Sequence, residues 1–302
     1  MTPASDCISV GIPCFNRPDG LENTLRCLQQ QTHSNWTALI CDNASTDSRV
    51  REISEKFCRE DERCQYRRHD RNSGPAANFH FAATSATERF FMWASDDDLW
   101  DPEFMNTNLR NLRTTPSAQM SFCSVDMINV NDHVIRKLKD FSRFSSTGNL
   151  NSDVWTFLDD PEIMGKANLI YGLFRTESLQ GCIEDCWDDA GFDAHGGDVV
   201  FLFAFLCRHG IVTHDAVHLH KRIPTEKRSK SRRRHPRSYK VTKAIEFDWY
   251  LERHRKVAPT QEIADMAKRV LRRRRSDRIV YSVPMLGRFL DKQRRGLRAK
   301  AA

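Results

Sequence analysis

The chain has 302 residues, 39% hydrophobic and 29% charged, with a formal net charge of +7. That length suits one large α/β domain with an appendage or two small domains, and no run approaches the ~20 apolar residues of a membrane span. The charge is divided: 20 basic against 32 acidic residues up to His220, then 27 against 8 from Lys221 onward.

Residues 1–6 lack the basic and apolar regions of a secretory leader, so none is expected. Residues 8–13 read as a strand ended by a Pro-rich loop, after which Leu21, Leu25 and Leu28 recur at helical spacing. A second strand, 36–41, closes at Asp42. The Asn43-Ala44-Ser45-Thr46-Asp47 turn can cap the next helix through Ser45, Thr46 or Asp47. A third strand, 64–69, leads through Asn72-Ser73-Gly74-Pro75 into a helix near Ala76. The fourth, 90–94, stops at Asp96-Asp97-Asp98, with a helix expected from Pro102. Three adjacent carboxylates repel one another unless a cation lies among them. Strands alternating with helices predict an α/β fold, its mostly parallel sheet covered on both faces. The loop at 13–17, Asp42 and the three acids would then share one rim, where such sheets take ligands.

Beyond a strand at 120–125, residues 127–139 read as a hairpin turning at Asn131-Asp132, and the Ser/Thr/Asn-rich stretch 141–151 as a mobile loop. Asp198 opens an apolar helix over 199–207, capped by Gly210, and 212–219 is one more strand. Past 223 the composition turns polybasic, with helices expected near 239–255 and 260–275. The ten cysteines form no disulfide framework. Cys14, Cys41 and Cys123 read as small buried hydrophobes, Cys182 and Cys186 lack the second pair of a zinc site, and a reducing cytoplasm is expected.

Five blocks carry a family resemblance: residues 8–17 (Ile-Ser-Val-Gly-Ile-Pro-Cys-Phe-Asn-Arg), 30–32 (Gln-Gln-Thr), 41–47 (Cys-Asp-Asn-Ala-Ser-Thr-Asp), 72–74 (Asn-Ser-Gly) and 95–98 (Ser-Asp-Asp-Asp). In order and spacing they resemble glycosyltransferase family 2, closely over about the first 110 residues and more loosely to His220. The resemblance implies a GT-A fold, a Rossmann-like mostly parallel sheet with helices on both faces, in residues 1–222. Within it 1–110 would bind the nucleotide-sugar and 111–222 the acceptor, with a basic helical extension at 223–302. It implies an inverting, metal-dependent transfer from a UDP- or dTDP-sugar to a hydroxyl of a glycan or lipid-linked acceptor, as in surface-polysaccharide or lipopolysaccharide synthesis.

The same resemblance assigns residues. Asp97 is expected as direct ligand of Mn²⁺ or Mg²⁺, which favour oxygen donors, with Asp98 or Asp96 on ribose or metal-bound water. Asp42 would contact base or ribose. Pro13, Phe15 and Asn16 would line the uridine, and Arg17 would reach phosphate or acceptor, or be a solvated loop residue. Asn72 and Gly74 would shape a loop near the nucleotide, and Asn78 is a buried anchor or a ligand contact. The family's general base lies in an acidic pair opening a helix. Here that pair reads Gly197-Asp198, leaving Asp198 as base or as helix cap, with Asp188, Asp189 and Asp193 as competing acids. Period-two spacing puts His218 and His220 on one face. His220 completes the metal shell or is structural, Lys221 and Arg222 correspond to basic diphosphate contacts, and 227–234 is a lid or a solvated linker.

Two rivals remain. A sugar nucleotidyltransferase is also doubly wound, but carries a Gly-rich basic loop after its first strand, where this chain has Pro13-Cys14-Phe15-Asn16-Arg17. A noncatalytic binding protein on the same fold would explain Gly197. The basic block beyond His220 reads as an anchor for an anionic membrane, at the inner face of the plasma membrane, or as helices packing on the body or an oligomer partner. No nucleic-acid reader module is recognisable there, and nucleic acid is not expected.

Overall fold

The computed structural model describes residues 6–194, 196–223 and 237–281. β1 (Ile8–Cys14) is buried at every position, as expected of a parallel strand covered on both faces. α1 (Pro18–Gln29) leads to β2 (Trp36–Asp42), α2 (Ser48–Glu60) to β3 (Cys64–Arg68), and α3 (Pro75–Thr84) to β4 (Phe90–Trp93). α1 starts at a proline and buries Leu21, Leu25 and Leu28, while Asp47 caps α2 by accepting from Arg49 N at 3.0 Å. β1 pairs in parallel with β2 and β4, and β2 with β3. Their ends at Cys14, Asp42 and Trp93 therefore lie on one rim.

The acids do not run straight into a helix. β5 (Leu99–Trp100) comes first, and α4 (Phe104–Thr114) only then. β6 (Ala118–Ile128), β7 (Val134–Leu138), α5 (Leu150–Asp159), β8 (Leu173–Arg175), α6 (Thr176–Ala190), α7 (Gly197–Arg208) and β9 (Gly210–Arg222) complete the body. The sheet order among the described residues is β3-β2-β1-β4-β8-β6-β9-β5, with β7 on β6. β8 is antiparallel to both β4 and β6, and these two reversals cancel. β6 and the parallel β9 therefore run in the direction of β1, which brings His220, Lys221 and Arg222 to the rim of the three acids. β5 pairs Leu99 with His220 and Trp100 with Leu219, which is why the chain after the acids stays extended.

The 141–151 stretch differs from the expected mobile loop. Phe141–Phe144 is a 3₁₀ turn with both phenylalanines buried. Ser142 of the turn and Ser145 just after it bond to β9: Ser142 N donates to Asp215 Oδ1 at 2.9 Å and Ser145 Oγ accepts from Thr213 N at 2.9 Å. A polar composition here marks a segment pinned by side-chain hydrogen bonds to a neighbouring strand.

α8 (Arg237–Val257) packs on α6 and α7, and α9 (Gln261–Tyr281) on α5 and α8. Ile263, Ala267, Val270 and Leu271 of α9 are buried. Basic side chains of this pair meet acidic ones of the body, among them Lys256 with Asp189 and Arg274 with Glu162. Part of the segregated charge is thus satisfied within the chain. The 227–234 stretch, expected as a lid or a solvated linker, and the segment beyond 281 lie outside the described residues. Among those described, no helix is long and apolar enough to cross a membrane.

Candidate active site

The three aspartates after β4 have three different surroundings. Asp98 is fully buried; its Oδ2 accepts from Lys221 Nζ at 2.8 Å and its Oδ1 from Arg222 N at 2.9 Å. Asp96 is nearly buried, with Oδ2 accepting from Phe15 N at 3.2 Å and Oδ1 from Arg17 Nη1 at 3.1 Å. Asp97 faces the rim with its side chain 20% exposed, taking Arg17 Nη1 at 2.6 Å on Oδ2 and the Ser95 hydroxyl on Oδ1. One guanidinium therefore bridges Asp96 and Asp97. α1 presses on this turn: a Cβ on Gly20 would fall 2.1 Å from Asp96 O, and Thr24 Oγ1 donates to Ser95 O at 2.8 Å. Only a glycine permits that approach. A glycine inside the helical pattern of α1 was the sequence signal for it.

Burial raises the Asp96 carboxyl from 3.8 to about 6; Arg17 opposes the rise and Asp97 adds to it. Folded Asp96 holds its proton at pH values where the unfolded chain has lost it, so its contribution to stability falls as pH rises from about 4 to 6. Asp96→Asn is accordingly expected to gain on the wild type by about 2 kcal/mol between pH 4.5 and 7.5. Unfolding curves at the two pH values check this, and a difference that stays flat with pH counts against it.

Burial likewise raises Asp98. It also disfavours charge on Lys221, but Tyr171, Asp98 and Asp97 outweigh it and hold that ammonium above its usual range. Lys221 Nζ also donates to Tyr171 OH at 3.2 Å and lies 4.4 Å from that ring. Lys221→Met would leave a buried carboxylate without its partner and is expected to cost about 3–5 kcal/mol in urea unfolding. A loss below about 1 kcal/mol would show that Asp98 is neutral in the fold. Sequence reading missed Tyr171, which lies in a stretch without periodicity and gave no signal.

The structure does not bring the expected metal residues together. His220 Nε2 lies 2.9 Å from Asp101 Oδ1, and His218 Nδ1 lies 3.7 Å from Oδ2 of the same residue. The two histidines hold Asp101 well below the carboxylate range, and that hydrogen bond raises His220. Arg222 donates to Asp97 O and Asn129 O, each at 3.1 Å, and pairs with Asp132. Among the described residues no group of three or more His, Cys, Asp or Glu side chains is placed to hold a metal. The donor chemistry still fits Mn²⁺ or Mg²⁺ in the mode where one carboxylate joins substrate phosphates and water. Asp97 is the rim-facing member of the three, its side chain 20% exposed.

The β1 and β2 loops interlock. Asn16, at φ 54°, accepts on Oδ1 from Thr46 N at 2.8 Å and Asp47 N at 3.1 Å, while its own N–H donates to Ser45 Oγ at 3.0 Å. Buried Asp42 accepts from Ser45 N at 2.8 Å and Tyr66 OH at 2.7 Å, with Arg68 Nε at 3.4 Å. Asn43 Nδ2 donates to Asn72 Oδ1 and Gly74 O, tying the 72–74 loop to β2. Asn78 Nδ2 donates to Cys41 O at 2.8 Å, so it is a buried anchor. Pro13 is buried in β1, and Phe15 is 38% exposed at the rim.

Asp198 lies in the first turn of α7, behind Gly196 as N-cap, and its Oδ1 accepts from Val199 N at 2.8 Å. With Pro75, Ala76, Phe79, Phe192, Ala194 and Gly196 it lines a cleft of about 220 Å³. Of the competing acids, Asp193 Oδ1 lies near Gly74, whereas Asp188 and Asp189 meet Arg253 through their carbonyls.

Comparison with known proteins places these observations. The profile of glycosyl transferase family 2 matches residues 9–175. A putative teichuronic acid biosynthesis glycosyltransferase, TuaG of Bacillus subtilis (strain 168), is 30% identical over 109 residues, 36% of this chain and 43% of that protein. Protein CgeD of the same organism is 22% identical over 202 residues, 64% of this chain and 45% of its own. These matches span less than half of either relative. Among solved structures, S. aureus TarS 1-349 in complex with UDP has a TM-score of 0.59 at 16% identity, covering 87% of this chain and 69% of that one. The mannosyltransferase PcManGT from Pyrobaculum calidifontis, in complex with GDP-Man and Mn²⁺, has a TM-score of 0.51 at 14% identity, covering 87% and 73%. The expected α/β sheet is thus a shared fold.

Proposed function

The chain belongs to glycosyl transferase family 2, and from that we propose that it moves a sugar from a UDP- or dTDP-sugar to a hydroxyl of a glycan or lipid-linked acceptor. The observation that carries this reading is the convergence of Asn16, Arg17, Asp42 and Asp96–Asp98 on one sheet rim, beside a separate cleft that holds Asp198. TarS is known with UDP, which makes uridine the first base to try, and TuaG is named for teichuronic acid biosynthesis. Residues 1–110 would serve the donor and 111–222 the acceptor. The charge excess beyond 223 suits an anionic membrane surface near such acceptors.

Asp198 would take the proton of the acceptor hydroxyl. That oxygen attacks the anomeric carbon as its bond to the β-phosphate oxygen breaks, and the nucleoside diphosphate leaves with the electron pair. Mn²⁺ or Mg²⁺, with Asp97 as its protein ligand, would neutralise the charge gathering on the leaving diphosphate. Arg17 is placed to add positive charge to the same rim. Asp42 is enclosed by Ser45 and Tyr66, and so shapes the nucleotide pocket through the backbone of the 43–45 turn. Asp98, Lys221, Arg222 and His220 hold the acid turn against β9.

Calorimetric titration of UDP with and without Mn²⁺ tests the reading. Manganese-dependent binding is the expected result. Failure of UDP, dTDP and GDP alike would sink the transferase reading.

A further inference from the structure

We infer that the C-terminal helix pair is a working part of the catalytic unit: Trp249 of α8 clamps Gly191 and Tyr250 clamps Gly196, and together they hold Asp198 at the cleft. This rests on, and deepens, the reading of Asp198 as the acceptor-side acid.

Two glycines with left-handed backbone flank the joint between α6 and α7. Gly191 ends α6 at φ 63° and Gly196 precedes α7 at φ 85°. Between them run two turn bonds, Ala194 N to Gly191 O and Gly197 N to Ala194 O, each 2.9 Å. α8 supplies further support. A Cβ on Gly191 would come within 2.6 Å of Trp249 Cζ2, and one on Gly196 within 3.0 Å of Tyr250 Cε2. Both positions need glycine twice over, for the left-handed backbone and for the ring lying against it. Arg253 Nη1 donates to the carbonyls of Asp188 and Asp189 at 3.1 Å each, a cation on the last turn of α6.

Tyr250 is itself anchored from behind. Its hydroxyl donates to Glu162 Oε1 at 3.0 Å, and Arg274 of α9 donates to the same oxygen at 3.0 Å and to Leu158 O at 2.8 Å. Lys166, fully buried, stands 3.6 Å from Glu162 and donates to Phe157 O and Asp160 O at 2.7 Å each. Burial works against charge on Glu162, but Arg274 and Lys166 outweigh it and bring its pKa to about 2, so the tyrosine always has an acceptor. On the opposite side Phe192, Ala194 and Gly196 line the cleft. Phe192 stacks on Trp187 at 4.1 Å between centroids and lies 5.8 Å from Phe79. Asp198 therefore sits at the end of a segment held between the rings of α8 and the start of α3. Trp249, Tyr250 and Glu162 are positioning residues in this arrangement.

The test compares the full chain with Tyr250→Ala, Tyr250→Phe and Glu162→Gln by amide hydrogen exchange, with UDP and Mn²⁺ titration as the donor-side control. Tyr250→Ala is expected to speed exchange across residues 191–200 about tenfold or more, while β1 to β4 stay protected and UDP affinity holds within about twofold. Tyr250→Phe keeps the ring and loses the bond to Glu162, and Glu162→Gln weakens the same bond; each is expected to speed exchange about two- to fivefold. Where a sugar nucleotide turns over, kcat of Tyr250→Ala should fall about tenfold or more at unchanged donor KM, with Tyr250→Phe recovering most of it. Unchanged exchange over 191–200 overturns the clamp, as does an equal rise in every segment. If Tyr250→Ala does not fold, the other two variants decide in the same terms. Asp198→Asn keeps the two readings apart: full turnover in that variant alongside a loosened segment removes the base and leaves the clamp.

Discussion

Asp97→Ala should lose manganese-dependent UDP binding and lower kcat/KM by about 10³-fold, some 4 kcal/mol of transition-state stabilisation. Of the three acids, Asp98 is fully buried against Lys221, and Asp96 is nearly buried under Phe15 N and Arg17. Asp97 faces the rim, so a cation arriving with a diphosphate would meet it there. The substitution leaves Arg17 its bond to Asp96, and neither Thr24 nor Arg222 loses a partner, because both grip this turn through backbone carbonyls. Loss of binding in a protein with an unchanged melting curve therefore speaks for the site and not for misfolding. If the variant keeps its response to manganese, Asp97 is not the metal residue. If the wild type binds UDP equally well without metal, the charge on the rim belongs to Arg17, and Arg17→Ala becomes the damaging change.

Asp198→Asn is expected to lower kcat by about 10²- to 10⁴-fold, the usual worth of a general base, with UDP affinity unchanged within about twofold. Asparagine keeps an acceptor for Val199 N–H, so the start of α7 is preserved. Asp198 lies in the cleft between α3 and Phe192, Ala194 and Gly196, apart from the bonded set of Arg17, Asp96 and Asp97, which is why donor binding should survive. An unaltered kcat would move the base to Asp193, the other acid near this cleft through Gly74.

The donor half was legible because its signals are local. Leu21, Leu25 and Leu28 make one face of α1, Asp47 caps α2, and the runs at 8–14 and 90–93 are apolar enough to be central parallel strands. Once three such strands run the same way, their closing residues must meet on one rim. The same reasoning could not see β5, two residues long and extended only because β9 pairs with it, nor the 3₁₀ turn at 141–144, whose Ser142 bonds across to β9.

The partners of the acids show the division most sharply. Chain order and composition determined that three carboxylates would stand at a strand end, that Asp198 would open an apolar helix and that the final 80 or so residues would be basic. Tertiary structure decided which carboxylate is open and which is paired. β6 and β9 reach the rim only through the two reversals at β8, so Lys221 could be matched to Asp98, and His220 to Asp101, only after the sheet was assembled. It also sent part of the basic segment, Arg253 and Arg274, onto the chain's own helix ends and acids. Local sequence encodes periodicity, caps and strand ends because those depend on near neighbours. Ion pairs between residues 123 apart, as between Asp98 and Lys221, depend on the path of the whole chain.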